Sequence, residues 1–449
     1  MQESAEIIVI GAGLGGLCAA TLLARAGYEV RVLEAASQPG GRARSRVQDG
    51  YVLNLGAHAL YRNGRAMAVL AQLGIEPRGR TVDGRGAYVL HADRLYALPR
   101  NAPTLLASDL LGARGKLAFA RLLLTLGERK ARALRGRNVQ QWLSEASGDA
   151  RARALLALLV RLTCYAHAPE LLGAEAAARQ LAHAVKHGVM YVDGGWQSLL
   201  DPLLARAEAA GVQLELGVAA ERIEHAGNAV RAVVTRDGRR LPARAVVAAV
   251  EPALLAALLP GDARARRWAD AAVPLRAACL DLGVRGLPHA ERVSAHALDA
   301  PLYFANHSAY ARLAPDGASV LHLIRYLAPG EDGRGAEPEL RAFLERVQPG
   351  VYARAEAKRF VPNLVAHNDV PGPERARGEH PELAGLHLVG DGCSARAMLT
   401  DGVLDSAHAA AARIAERMPV LGASARAGQA GRAAAVVKAS AASDPGRAA

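Results

Sequence analysis

Aromatic residues make up only 4% of this 449-residue chain, although its formal net charge is +12. Surfaces that bind nucleic acid combine cations with rings for base stacking. Arginines scattered through an alanine-rich sequence with so few rings do not make such a platform, so no nucleic-acid partner is expected. The four cysteines, Cys18, Cys164, Cys279 and Cys393, are far apart and form no CxxC pair. A chain of this length can bury its own core without disulfides, and the expectation is a protein of the reducing cytoplasm. No apolar run reaches the length of a membrane span, and no cationic leader precedes the first strand, which starts by Ile7. There is no GxSxG elbow, and Gly112-Ala113-Arg114-Gly115-Lys116 lacks the spacing and hydroxyl of a nucleotide-phosphate loop, which removes hydrolase and NTPase readings. His183 and His187 share a helix face, but no Glu follows His183 and no third ligand is in view, so no metal is expected.

Glycine, by contrast, falls in informative places. Ile7-Ile8-Val9-Ile10 is followed by Gly11-Ala12-Gly13-Leu14-Gly15-Gly16, an Ala/Leu-rich helical stretch, and Val30-Arg31-Val32-Leu33 ending in Glu34 and Ala35. That order is a dinucleotide-binding βαβ unit. Gly11 allows the tight turn, Gly13 lets backbone N–H groups approach a pyrophosphate, and Gly16 lets the helix lie close on the sheet. Glu34 ends the second strand where it can accept a ribose hydroxyl. Pro39-Gly40-Gly41-Arg42 adds N–H donors and a fixed positive charge for the same pyrophosphate, which a nicotinamide enzyme has no evident need for, and so points to FAD. Near the other end, Leu388-Val389-Gly390-Asp391 offers a carboxylate for a ribityl or ribose hydroxyl. Met398-Leu399-Thr400-Asp401-Gly402-Val403-Leu404 then opens a helix whose positive end can face an electron-rich ring. The alternative is an ordinary helix capped by Asp401.

Taken with Gly50-Tyr51-Val52-Leu53-Asn54-Leu55-Gly56-Ala57-His58, these motifs resemble the flavin amine oxidase superfamily, particularly its phytoene desaturase-like branch. The resemblance implies an α/β fold with a Rossmann-like FAD-binding domain assembled from three segments, 1–62, 190–251 and 381–418. A mixed α+β substrate domain is inserted as 63–189 and 252–380. It makes Gly56-Ala57-His58 the flavin-facing loop, with His58 a general base or a packing residue. It also makes Leu216 to Ile223 the element whose main chain brackets the adenine at Ala220, where the family usually has Val. The helix with Tyr165 and the Pro169-Glu170 corner leads into Gly194-Gly195, which return the chain to the FAD domain. Trp196, departing from the family's smaller apolar residue, lines the substrate cavity or, as favoured, seals the domain interface. Tyr165 and His167 belong to the cavity wall or to helix surface. Cys393 sits near the covalent attachment point of some relatives in surroundings that do not match it, so FAD is expected to be noncovalent. The implied reaction takes a hydride from a C–H bond of an apolar small molecule, with oxygen or a quinone as electron acceptor. A flavin amine oxidase is the runner-up, discounted because the stretch from Gly390 to Met398 holds no aromatic ring to sandwich an amine. An FAD-binding redox or interaction protein without turnover is the third possibility.

The pattern elsewhere is coarser. Residues 67 to about 187 read as mostly helical. Short strands at 212–216, 229–234 and 245–250 read as completing the first module, and a mixed region runs on to about Pro381. Residues 419–449 lack a periodic apolar face, and a disordered tail is expected. Between residues 112 and 137, Arg114, Lys116, Arg121, Arg129, Lys130, Arg132, Arg135 and Arg137 face a single acid, Glu128, and interleave with leucines. That stretch reads as a solvated helical face or as peripheral contact with an anionic membrane.

Overall fold

The computed structural model describes residues 6–124, 126–372 and 382–420. The expected disordered tail lies, from residue 421, outside the described residues. Two sheets organise the molecule. The first is parallel and five-stranded, in the order Gln213–Leu216, Val30–Glu34, Ile7–Ile10, Ala245–Ala248, Leu386–Leu388. Its central strands, Ile7–Ile10 and Ala245–Ala248, are buried along their whole length, as continuous β-branched and small apolar runs covered on both faces require. The helix Leu14–Arg25 packs against the sheet, the helix Gln197–Ala209 and the C-terminal helix Leu399–Arg417. This parallel sheet and its covering helices form the Rossmann-like α/β fold expected.

The second sheet has seven strands. Its order is Ala357–His367, Leu275–Arg285, Ala318–Tyr326, Leu302–Asn306, Ser294–Ala297, Ala87–His91, Arg94–Ala97. Neighbours are antiparallel except for the pair Ser294–Ala297 and Ala87–His91. Helices Ala113–Leu124, Val139–Ala146, Ala150–Cys164 and Ala174–His187 form a separate layer.

The stretch from 67 to 187 is mostly helical, as expected, but Gly79–Thr81, Ala87–His91 and Arg94–Ala97 are strands within it. Their alternating residues are too few to register against the helical periodicity around them, and a left-handed turn at Ala92 and Asp93 (φ 47° and 60°) makes the hairpin. The segment Ala229–Thr235 does not join the parallel sheet; it pairs with Ala220–Ala226 and Arg240–Pro242 in a small antiparallel sheet. Finally, Leu216 to Ile223 is not one strand. Gly217, at φ +72°, breaks it, and its N–H donates to Ala36 O at 3.0 Å.

Candidate functional site

A cavity opens at the carboxyl ends of the parallel strands, where an open α/β sheet binds its ligands. At one end, two glycine turns lie against each other. Gly11 has φ +100°, and a Cβ there would sit 2.7 Å from Ala249 O; at Gly16 it would sit 2.0 Å from Gly11 O. Each therefore needs glycine, one for the turn and one for the approach of helix to strand. A Cβ on Gly13 would meet nothing within 4 Å, so the methyl would occupy the cavity itself. Gly40, at φ +111°, donates to Ala12 O at 2.7 Å and pairs with Gly13. No side chain caps Leu14–Arg25, whose positive end is thus left facing the cavity. The Glu34 carboxylate accepts from Ala12 N at 2.7 Å and Ala36 N at 2.9 Å, tying the first turn to the second strand. Bare backbone N–H groups, a helix start and a space that a single methyl would fill are what a diphosphate fits.

Arg42 and Asp391, read from opposite ends of the sequence, meet here. Asp391 is buried and accepts from Arg42 Nη2 at 3.2 Å, Asn368 N at 2.8 Å and Asn368 Nδ2 at 3.1 Å. Burial alone would raise its pKa, but Arg42, His367 and the Asn368 amide hold the carboxyl below its usual range. Arg42 also donates to Val365 O and Ala366 O, at 3.4 and 3.3 Å. The C-terminal helix begins beside this pair with Leu399, Thr400 and Val403 on the cavity wall and no side-chain cap. Asp401 does not cap its own helix. Its Oδ1 accepts from Ala66 N at 2.7 Å, capping Arg65–Gln72 instead, and burial pushes its pKa up to about 6.

The other end of the cavity is apolar. Ala277, Cys279 and Ile324 contribute from adjacent strands of the seven-stranded sheet, with Leu364 beside them and Ala57, His58, Tyr165 and Trp196 opposite. The His58 and Trp196 rings meet edge-on at 4.7 Å, and Gly56 O lies 3.0 Å from His58 Nδ1. Burial lowers the His58 pKa to about 4, against the opposing pull of Gly56 O. Burial likewise raises Tyr165 and Cys279 well above their usual values. All three are therefore neutral near pH 7.

The structure thus gathers Gly11, Gly13, Leu14, Gly15, Gly16, Glu34, Gly40, Gly41, Arg42, Ala57, His58, Tyr165, Trp196, Gly390, Asp391 and Val403 around one cavity. Ala35, Gly56, Ala220, Met398 and Gly402 are not in its wall. Met398 lines a separate polar groove, and Ala220 packs against the core on the far side of the parallel sheet. Trp196 is 4% exposed within the helix-covered core and also lines the cavity. His167 is absent from the wall. Sequence reading missed Asn368, Leu364 and the floor strands, whose signal is only a period of two within an apolar run.

The chain is 28% identical over 289 residues to a hydroxyneurosporene desaturase of Cereibacter sphaeroides, covering 57% of this chain and 58% of that one. It is 29% identical over 217 residues to a putrescine oxidase of Kocuria rosea, covering 44% of this chain and 45% of that one. The matched part thus spans little more than half of these curated relatives, or less. An oxidoreductase from Methanosarcina mazei has the same fold, with a TM-score of 0.73 at 19% identity over 90% of this chain and 99% of that one. Residues 14–277 match the family described as flavin containing amine oxidoreductase. The chain belongs to that family, and its cofactor is FAD.

Proposed function

We propose that this chain is an FAD-dependent oxidoreductase acting on a C–H bond of a neutral, apolar small molecule, in the manner of a desaturase or dehydrogenase. The observation that carries this reading is the apolar half of the cavity, where His58, Tyr165 and Cys279 are held neutral and the remaining floor is Ala277, Ile324 and Leu364. Among the described residues the acids of the cavity wall, Glu34, Glu251 and Asp391, all stand at the ends of parallel-sheet strands, so an ammonium group in the apolar half would have no carboxylate beside it.

In this reading Gly11, Gly13, Leu14, Gly15, Gly16, Gly40 and Gly41 would hold the FAD diphosphate, with Arg42 adding charge. Glu34 and Asp391 would take hydroxyls of the ribose and ribityl chains. The helix starting at Leu399 would direct its positive end at the ring. When bound, FAD supplies hydride acceptance. The protein's own part is to keep the apolar floor dry, to orient the substrate against Trp196 and Tyr165, and to offer neutral His58 as acceptor for a released proton. In the same reading, the FAD-binding domain would be built on the parallel sheet and the substrate domain on the seven-stranded one.

An amine oxidase is the second reading, favoured by the ring pair His58 and Trp196, against which a deprotonated amine could rest. Anaerobic mixing separates the two. Apolar polyenes should bleach the flavin band and alkylamines should not; bleaching by amines alone overturns the proposal. Oxygen and quinones are compared as acceptors in the same apparatus. Among the described residues no helix is long and apolar enough to cross a membrane. Leu117 and Leu124 on Ala113–Leu124 are nevertheless 54% and 83% exposed beside Lys116 and Arg121, which supports peripheral contact with anionic lipid. Vesicle flotation that is insensitive to salt or absent counts against that contact.

A further inference from the structure

Behind the apolar floor lies a polar rung that the flavin reading leaves unused. Along Leu275–Arg285, alternate residues share a face, so Asp281 follows Ala277 and Cys279 in line, one step beyond the cavity. His322 and Arg359 stand in register with it on the two neighbouring strands. Asp281 accepts from His322 Nδ1 at 2.6 Å and from Arg359 Nε at 3.0 Å, and both Asp281 and His322 are fully buried. The guanidinium reaches further: Nη1 donates to Leu53 O at 3.3 Å and Nη2 to Asn54 O. These carbonyls end the strand Tyr51–Asn54, immediately before the loop that carries His58. The Asn54 side chain extends the same network, its Oδ1 accepting from Trp196 N at 2.9 Å and from the Ser45 hydroxyl at 2.7 Å. One set of hydrogen bonds therefore reaches both the Trp196 backbone and the strand end that leads into the His58 loop.

A buried ionic cluster adds little stability over a well-packed apolar one, because desolvation offsets the attraction. What it adds is direction. A planar guanidinium fixed by a carboxylate can hold two carbonyls at set angles, which no aliphatic side chain does. We propose that Arg359, Asp281 and His322 form a positioning unit that sets the His58–Trp196 wall against the flavin ring. This rests on the reading that the ring lies at that wall.

The test uses the full chain reconstituted with FAD, comparing wild type with Arg359→Met, Arg359→Lys and Asp281→Asn. Two readouts report on the ring's surroundings: the visible absorbance bands of bound FAD, and the rate at which dioxygen reoxidises the dithionite-reduced protein. The expected result is full FAD occupancy with displaced bands and a reoxidation rate altered on the order of tenfold to a hundredfold, as for misplacement of about 1 Å. Arg359→Lys keeps the charge but not the fork and should behave like Arg359→Met; being the milder change, it also serves if Arg359→Met does not fold. Variants that lose thermal stability while both readouts stay at the wild-type value overturn the proposal, as does wild-type behaviour of Arg359→Lys. A wild-type protein that binds no FAD sinks the underlying reading instead.

Discussion

The two ends of the cavity are built on different physical terms. At the parallel-sheet end, positions are set by the backbone: glycines at φ +100° and +111°, an uncapped helix start, and one carboxylate at each of two strand ends. At the seven-stranded end they are set by side-chain volume and dryness, with Ala277, Cys279 and Ile324 forming the floor and the titratable groups pushed to their neutral forms. The first end offers many directional contacts to a ligand common to many proteins. The second offers few, and it can be reshaped by changing any of its apolar residues. Cofactor binding and substrate choice should therefore separate under mutation.

The sharpest test of that separation is Gly16→Val. The added Cβ would overlap Gly11 O at 2.0 Å, so the turn must open. Overpacking of this kind typically costs about 1–3 kcal/mol and occasionally more, and with the diphosphate turn itself displaced the purified protein should be colourless, with flavin measured by absorbance after denaturation. Asp391→Ala comes next. It leaves Arg42 without its carboxylate, and breaking such a buried pair costs up to about 3–5 kcal/mol. The effect should lie at the low end because the Arg42 side chain is 37% exposed. FAD affinity should fall while the apolar floor is untouched, as fluorescence titration can show. Because the Asp391 pKa is lowered in the fold, the stabilisation it gives is present near neutral pH and lost only as acid titrates the folded carboxyl. If FAD loss follows floor substitutions such as Cys279→Phe as strongly as these, the two ends are not independent.

The contrast also explains what could be read in advance. A glycine required by a turn, or an acid at a strand end, leaves a local mark in the chain, and Gly11, Gly13, Gly16, Glu34, Gly40, Arg42 and Asp391 were legible for that reason. The βαβ unit from Ile7 to Glu34 followed from the same marks, but the strand order did not, since Ala229–Thr235, read as completing that module, pairs in a separate sheet. The floor was not legible, because Ala277, Cys279 and Ile324 differ from any other alternating buried residues only by what folds opposite them. Nor was the polar rung, since Asp281, His322 and Arg359 are far apart in sequence and acquire a relation only through strand register. Asp401 illustrates the limit: its place at a helix start was visible, but the helix it caps was not.

Two smaller effects sharpen the comparison further. His58→Gln should retain FAD and lose the acid limb of the reductive step. In wild type the folded imidazole, with its pKa lowered to about 4, stays a proton acceptor down to that pH. Stopped-flow reduction across pH 3.5 to 8 reads this, and an unchanged limb removes His58 from the chemistry. Asp401→Asn should have the mildest outcome and the opposite sign. With its folded pKa raised from 3.8 to about 6, the carboxyl favours the fold when protonated, and that advantage is lost as pH rises through 6. The loss amounts to at most about 3 kcal/mol by linkage. The amide keeps an oxygen for Ala66 N, so the variant should melt higher than wild type above pH 6 and the same as wild type below about pH 4.

The parallel sheet takes its strands from residues 7 to 388, with Leu386–Leu388 closing one edge. A polypeptide leaving the ribosome cannot finish this sheet until residues 386–388 have emerged, and pairings so distant along the chain form slowly. Asp391, which tethers Arg42, is supplied later still. The coenzyme should consequently be captured only after Asp391 has emerged, and how quickly newly made protein turns yellow in the cell would depend on how long its unfinished apolar edges are kept from aggregating.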